Sequence, residues 1–515
     1  MIFVTIIPFL FSLLYERQRE EDFIFIFINS AILLFPLYFL RNHKIYFLLL
    51  FPLLLLPAMF DFGHIFLYQG RISESIFFII FDTNPAESME YLESNLSFSF
   101  LASCLIYFLV TVIYWLKILK MPKINIETKW YKYLILWLII PFGFKLYSEQ
   151  GSLDKTFEAY RRSSHIYSMM HFYHGYQKQL EAFQNFNKNV KKDFQVTRDA
   201  NIPQKEVHLL VIGESTTSNH MGVYGYHRKT TPHLTERKSE INLFTDVVSS
   251  NPPGTMANLK KILTLANTEK ENDELLSVNI VNIMKAAGFK TYWVSNQLIL
   301  GEHDTTTTVF AKQSHKVSFT NTTNSVTYDE KILPIFDRYL SEKEDKKFIV
   351  LHLMGSHMKY RHRFPDEYKK FTDTRDIPIK DFHNERKLEY INSYDNAIYY
   401  NDYILNEILN RVKNLDALTT VTYLSDHGEE VYREKDLHGH PGTSPTLNMY
   451  RIPFFIWTNS SLNLNQYLSR KYVSDDTIHT LLDLFRVNGD FFDSSKSLIS
   501  PDFVEKKRYM GNIEI

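Results

Sequence analysis

The feature that most constrains this chain is the crowding of its long apolar runs into the first 147 residues. Five are visible, at roughly Ile2–Tyr15, Phe23–Leu40, Ile45–Phe60, Phe98–Leu119 and Tyr131–Tyr147. A helix needs about 20 apolar residues to cross a bilayer. The first run is short by that measure and would draw on its flanks. It has no basic start and no small-residue cleavage site, so it reads as a retained segment rather than a signal peptide. Arg41 and Lys44 lie between the second and third runs, and Lys117, Lys120, Lys123, Lys129 and Lys132 between the fourth and fifth. Positive loops stay inside. That puts the N-terminus in the cytoplasm, the loop 61–96 outside, and everything after Tyr147 outside. In a bacterium this makes a multi-pass inner-membrane protein with a periplasmic domain.

The expected organisation is a transmembrane domain over 1–147, an aromatic-rich interfacial helical connector over 148–205, and a catalytic domain over 206–515. The outward loop carries Thr83 and Glu87, four apart and therefore on one face if helical. A helix cap followed by a solvated acid explains their spacing equally simply. Net charge is −1 over 515 residues, which offers nothing to a polyanion and argues against nucleic acid as a partner. The single cysteine, Cys104, lies in an apolar run. The chain can therefore form no internal disulfide, and no metal in the C-terminal part can be held by thiolate.

From Val207 onward short apolar runs alternate with helical stretches. Strands are expected at Val207–Ile212, Thr291–Val294, Phe348–Leu353, Thr419–Leu424 and Pro453–Trp457, and helices at Met256–Leu265, Val278–Ala287 and Tyr390–Val412. This pattern predicts an α/β domain with a mostly parallel sheet flanked by helices on both faces. Open sheets of this kind place their chemistry at the carboxyl ends of the strands. There the first strand runs into Glu214, the third into His352 and His357, and the fourth into Asp426, His427 and Glu429, followed by His438 and His440. Oxygen and imidazole donors without thiolate suit Zn2+ or Mn2+. Thr255 opens a predicted helix, where an N-cap is the ordinary reading. Beside a metal its hydroxyl would become an effective nucleophile.

These motifs together resemble the phosphoethanolamine transferases of bacterial envelopes, within the alkaline phosphatase/sulfatase superfamily. The resembling residues are Gly213-Glu214-Ser215-Thr216, Tyr224 to Pro232, Thr255, Met354 to His357, Tyr394 to Tyr400 and Ser425 to Glu429, together with the five-run N-terminal domain. The resemblance implies that Glu214, Thr255, Asp426 and His427 hold a catalytic Zn2+, with Thr255 as nucleophile. It implies that His357 and His438 lie near the transferred phosphate, with His440 competing for the role of His438, and that Thr83 and Glu87 lie near the ethanolamine group. It also implies phosphatidylethanolamine as donor and lipopolysaccharide (lipid A or core) or another envelope molecule as acceptor. No lysine after Asn296 carries over from the family pattern. A sulfatase would need a formylglycine precursor, and neither Cys104 nor Thr255 has that context. The alternatives are a phosphoglycerol transferase of the lipoteichoic acid synthase type and a non-catalytic envelope scaffold.

Overall fold

The computed structural model describes residues 43–68, 97–120, 194–199, 202–298, 306–321, 327–441 and 444–515, with isolated positions between 146 and 177. The chain divides into two compact units, Met1–Phe81 with Leu92–Gln179, and Asp82–Tyr91 with Leu180–Ile515.

Apart from those isolated positions, the described part of the first unit is a pair of helices, α1 (His43–Tyr68) and α2 (Phe98–Lys120). Within them Leu48–Leu67 and Phe98–Lys120 are long and apolar enough to cross a membrane. They pack through Leu54, Leu55, Ala58, Phe62 and Tyr107, with the rings of Phe51 and Trp115 stacked at 4.7 Å and those of Phe62 and Tyr107 at 5.0 Å. Their other faces leave Leu49, Leu53, Leu56, Leu105 and Ile106 more than half exposed. An apolar surface of that kind suits lipid and not water. Helix α1 continues past the expected end at Phe60, so Asp61 and His64 are buried helical residues rather than loop. Helices at two of the five expected apolar runs, the third and fourth, are thus described. The first, second and fifth runs, Thr83, Glu87 and most of the connector lie outside the described residues.

The second unit is built on a seven-stranded sheet. In chain order its strands are β1 (Glu206–Gly213), β2 (Ile241–Phe244), β3 (Lys290–Leu298), β4 (Lys316–Asn321), β5 (Lys346–His352), β6 (Leu418–Ser425) and β7 (Phe454–Thr458). Their spatial order is β2-β7-β6-β1-β5-β3-β4. The pairs among β6, β1, β5, β3 and β4 are parallel, whereas β7 runs antiparallel to both β6 and β2. The sheet is therefore mixed, which refines the expectation of a mostly parallel one.

Both faces of the sheet are covered, which is why the strands read as unbroken apolar runs. On β1, Leu210 and Ile212 enter a core with helices α3 (Thr255–Leu263), α4 (Ile280–Ala286) and α7 (Thr477–Leu484). The alternate residues Val207, Leu209 and Val211 enter a second core with α5 (Leu333–Leu340) and α6 (Glu385–Val412). Phe348 and Val350 against Ile349 and Leu351 divide β5 in the same way. The five predicted strands and three predicted helices all form. The edge strands β2 and β4 are additions.

A candidate metal centre at the carboxyl ends of β1 and β6

Strands β1 and β6 pair in register, Gly213 opposite Ser425. The next residue of each, Glu214 and Asp426, therefore leaves the sheet side by side. Both are buried, as is His427. The donor atoms of Glu214, Asp426 and His427 lie within 4.8 Å of one another. His427 Nε2 is 3.2 Å from Glu214 Oε1 and 3.5 Å from Asp426 Oδ2. Its Nδ1 lies 2.8 Å from the Gly428 carbonyl. A carbonyl only accepts, so Nδ1 carries the hydrogen and Nε2 faces the carboxylates.

Thr255 completes the group from the opposite side. Its Oγ1 donates to Glu214 Oε1 and Oε2 at 3.1 and 3.2 Å and lies 3.4 Å from His427 Nε2. The residue does not cap its helix. The N-cap of α3 is Gly254, at φ 151°, and no side chain caps that end. Asn258 holds the preceding loop by accepting from Ser250 N and Oγ and donating to the Gly254 carbonyl at 2.9 Å. That leaves the Thr255 hydroxyl free to face Glu214.

Two carboxylates at this distance repel unless a cation lies between them. Burial and the adjacent Glu214 carboxylate push Asp426 up to about 6, against the nearby His427. Burial opposes charge on His427 too, but Asp426 and Glu214 outweigh it and carry the imidazolium up to about 10. Glu214 is also opposed by burial, yet His427 holds it below the usual carboxylate range. Asp426 Oδ1 accepts from Ser215 N and His427 N, whereas Oδ2, also buried, makes no hydrogen bond among the described residues. A buried carboxylate oxygen without a donor is costly. Two carboxylates, an imidazole nitrogen and a hydroxyl converging around it form a donor set that fits a divalent metal.

The motifs around the site act as its frame. Gly355, at φ 54°, brings its loop against Glu214. A Cβ there would lie 2.7 Å from the Glu214 carbonyl oxygen, and Ser356 N donates to that oxygen at 3.0 Å. His357 follows in this loop and is half-buried. Tyr394 on α6 accepts from Thr217 N and donates to the Ser215 carbonyl at 2.7 Å. Asp395 binds His220, Tyr226 and Arg228. The segment 224–232 and the Tyr394-Asp395 motif are thus each other's partners and fix the loop after Glu214.

Of the two histidines left open, His440 touches the cluster. Its ring centroid is 3.9 Å from that of His427, and its Nδ1 is 2.8 Å from Glu429 Oε2. His438 instead packs against Tyr390 and Tyr432 at 4.8 and 5.4 Å. Sequence reasoning left Glu429 and Gln297 without roles. Glu429 accepts from Tyr360 Oη at 2.8 Å as well as facing His440, and burial raises it to about 7 against the pull of His427. Gln297 Nε2 reaches both Glu214 Oε2 and the Leu353 carbonyl. It directly follows Asn296, after which no lysine carries over from the family pattern. The position of Glu429 within the Asp-His-Gly-Glu run was the available signal. Gln297 had none.

A sulfatase-family model matches residues 207–487. Phosphoethanolamine transferase EptC of Escherichia coli strain K12 is 31% identical over 471 residues, covering 87% of this chain and 81% of that protein. The chain belongs to the phosphoethanolamine transferase family. CptA of Salmonella typhimurium, another phosphoethanolamine transferase, matches at 31% identity with the same coverage. Among solved structures, the C-terminal periplasmic domain of E. coli EptC in complex with Zn matches with a TM-score of 0.59 at 34% identity, over 63% of this chain and 96% of that one. The integral membrane protein EptA of Neisseria meningitidis matches with a TM-score of 0.67 at 19% identity, over 96% of this chain and 98% of that one. At that identity the likeness speaks for the fold. In this phosphoethanolamine transferase, Glu214, Thr255, Asp426 and His427 stand together within the region that the sulfatase-family model matches.

Proposed function

We propose that the protein transfers phosphoethanolamine from phosphatidylethanolamine to lipopolysaccharide, at lipid A or core, or to another envelope acceptor. It does so as a multi-pass inner-membrane enzyme with its second unit in the periplasm. The observation that carries this reading is the convergence of Glu214, Thr255, Asp426 and His427, with Thr255 Oγ1 turned onto a carboxylate instead of capping its helix. It is supported by the family and by the EptC periplasmic domain's complex with Zn.

Zn2+ held by Glu214, Asp426, His427 and Thr255, or Mn2+ in its place, would supply a Lewis acid for the charge that develops during phosphoryl transfer. The chain's own residues do the rest. Thr255 Oγ1 gives up its proton and attacks the phosphorus of the donor. The bond to the diacylglycerol oxygen breaks, and that oxygen takes a proton. Phosphoethanolamine is left on Thr255, and an acceptor oxygen then displaces the threonine oxygen. The imidazoles of His357, His438 and His440 are assigned to the transferred phosphate and the leaving oxygen. His440 is the ring in contact with the cluster. Thr83 and Glu87 are assigned to the ethanolamine group.

The test follows headgroup loss from fluorescent phosphatidylethanolamine by the detergent-purified protein. Release of diacylglycerol that stops with chelator and in Thr255→Ala is expected, and single alanine variants of His357, His438 and His440 rank the three rings. Release from phosphatidylglycerol alone would make this a phosphoglycerol transferase. No turnover of either lipid would leave the scaffold reading.

A further inference from the structure

A cavity of about 900 Å3 lies in the second unit along the edge strand β2 and is not part of the donor cluster. Its volume is that of a small-molecule site. Ser218, Asn219, Lys238, Asn242, Ser461 and Arg451 are among its lining residues. Arg451 is its unusual member. The guanidinium Nε is buried and makes no hydrogen bond, and the side chain has no ion pair among the described residues. Lys238, exposed at the rim, is likewise unpaired there. The acid on the same wall, Glu240, is already matched by Arg237 at 2.8 Å. Among the described residues, nothing pairs with the positive charge that Arg451 and Lys238 bring to the cavity. The buried Nε is out of a ligand's reach, so an anion would be met by the terminal amino groups of the guanidinium. Its planar fork matches phosphate or carboxylate.

The backbone ties this wall to the metal centre. Ser218, four residues after Glu214, donates its N–H to the Arg451 carbonyl at 3.3 Å. On the other side, a Cβ on Gly428 would lie 2.9 Å from that same carbonyl, and Gly428 directly follows His427. Arg451 is thus fixed between the loop that carries Glu214 and the loop that carries His427.

We propose that the cavity binds an anionic saccharide through Arg451, with Lys238 at its mouth. Resting on the transfer reading above, that saccharide is the phosphate- or carboxylate-bearing sugar of the acceptor. The polar groups along the cavity, Ser218, Asn219, Asn242 and Ser461, suit sugar hydroxyls, and the backbone ties of Arg451 join this wall to the two loops that carry the cluster.

The experiment is calorimetric titration of the full-length protein in detergent with N-acetylglucosamine 1-phosphate, glucuronic acid, inorganic phosphate and uncharged N-acetylglucosamine. Binding of at least one anionic sugar is expected, with no binding of the uncharged one. Arg451→Gln is expected to weaken that binding at least tenfold and Lys238→Glu severalfold. Among the described residues Arg451 makes no side-chain hydrogen bond or ion pair, and Lys238 lies in solvent, so neither change removes such a bond from the described fold. The two sugars show which anion is read, and inorganic phosphate shows whether the sugar contributes. Failure of both anionic sugars to bind, or equal binding by Arg451→Gln, overturns the proposal. A parallel kinetic arm expects Arg451→Gln to raise the acceptor KM tenfold with a less than twofold change in kcat. An equal fall in kcat would also overturn it. The binding arm needs no turnover. An inactive protein that still binds the sugar would therefore count against the transfer reading, whereas an active protein that ignores the sugar would count against the cavity.

Discussion

Replacing Asp426 with Asn should stabilise the metal-free protein while weakening its response to metal. In the wild type, burial and Glu214 push the Asp426 carboxyl from 3.8 up to about 6. A carboxyl whose folded value is raised binds its proton more tightly in the folded state. The metal-free fold therefore loses stability as pH rises from about 4 to about 6, and the loss is complete above that. A rise of roughly two pH units corresponds to about 3 kcal/mol at pH 7.5. Asn keeps an oxygen for the Ser215 and His427 N–H donors and places an amide donor where Oδ2 made no hydrogen bond. For a domain of about 310 residues, that gain amounts to on the order of 5 °C in melting temperature. The assay is thermal unfolding of full-length protein in detergent, with chelator or with excess Zn2+, at pH 4 and pH 7.5. The variant should melt higher than wild type in chelator at pH 7.5 and equally at pH 4, and it should gain much less from Zn2+. A variant that melts lower in chelator at pH 7.5, or that gains as much from Zn2+ as wild type, would refute the reasoning.

Thr255→Ser keeps the hydroxyl beside Glu214 and should retain headgroup release within about tenfold, whereas Thr255→Ala should lose about a thousandfold or more. Equal loss in both would mean that the residue packs and does not react. Gly355→Ala puts a Cβ 2.7 Å from the Glu214 carbonyl at φ 54° and should cost about 1–3 kcal/mol, read as a lower melting temperature. An unchanged melt would show that the loop does not press on Glu214. Glu206 is buried, which alone would raise it, but bonds from Arg198 and His208 bring it down to about 2. Its contribution is present above pH 4.5 and lost as pH falls toward 2. Glu206→Gln should therefore be less stable than wild type by about 3 kcal/mol at pH 7, a gap that closes by pH 2 in urea unfolding. A gap that stays constant with pH would rule out the ion pair as its source.

Legibility in the sequence followed burial. Strands covered on both faces, such as β1 with its buried Leu209, Leu210, Val211 and Ile212, could be read as apolar runs. The edge strand β4, Lys-Val-Ser-Phe-Thr-Asn, is mostly half-buried and mixed in polarity. Nothing in its six residues distinguishes it from a loop. Strand β2 has only four residues. The carboxylates Glu214 and Asp426 were visible because strand ends are countable along a chain. Thr255 was ambiguous because a helix-opening threonine caps far more often than it reacts. Only the geometry shows Gly254 at the cap and the hydroxyl on Glu214. The choice between His438 and His440 depends on how the short antiparallel pair of Glu430–Val431 with His438–Gly439 turns its side chains, which spacing does not encode. Gln297 lies at a β3 irregularity where the pairing with β4 shifts register, a feature with no local signature.

The pairing of Gly213 with Ser425 also bears on how such a site persists while its surroundings change. The separation of the two acidic donors is set by main-chain hydrogen bonds between adjacent parallel strands. Core side chains on either face can be exchanged, volume for volume, without moving that spacing. A chain that shares fewer than a third of its residues with a relative can therefore keep the same distance between the two carboxylates. Mutational drift would then alter the walls around the donors long before it altered the donors themselves.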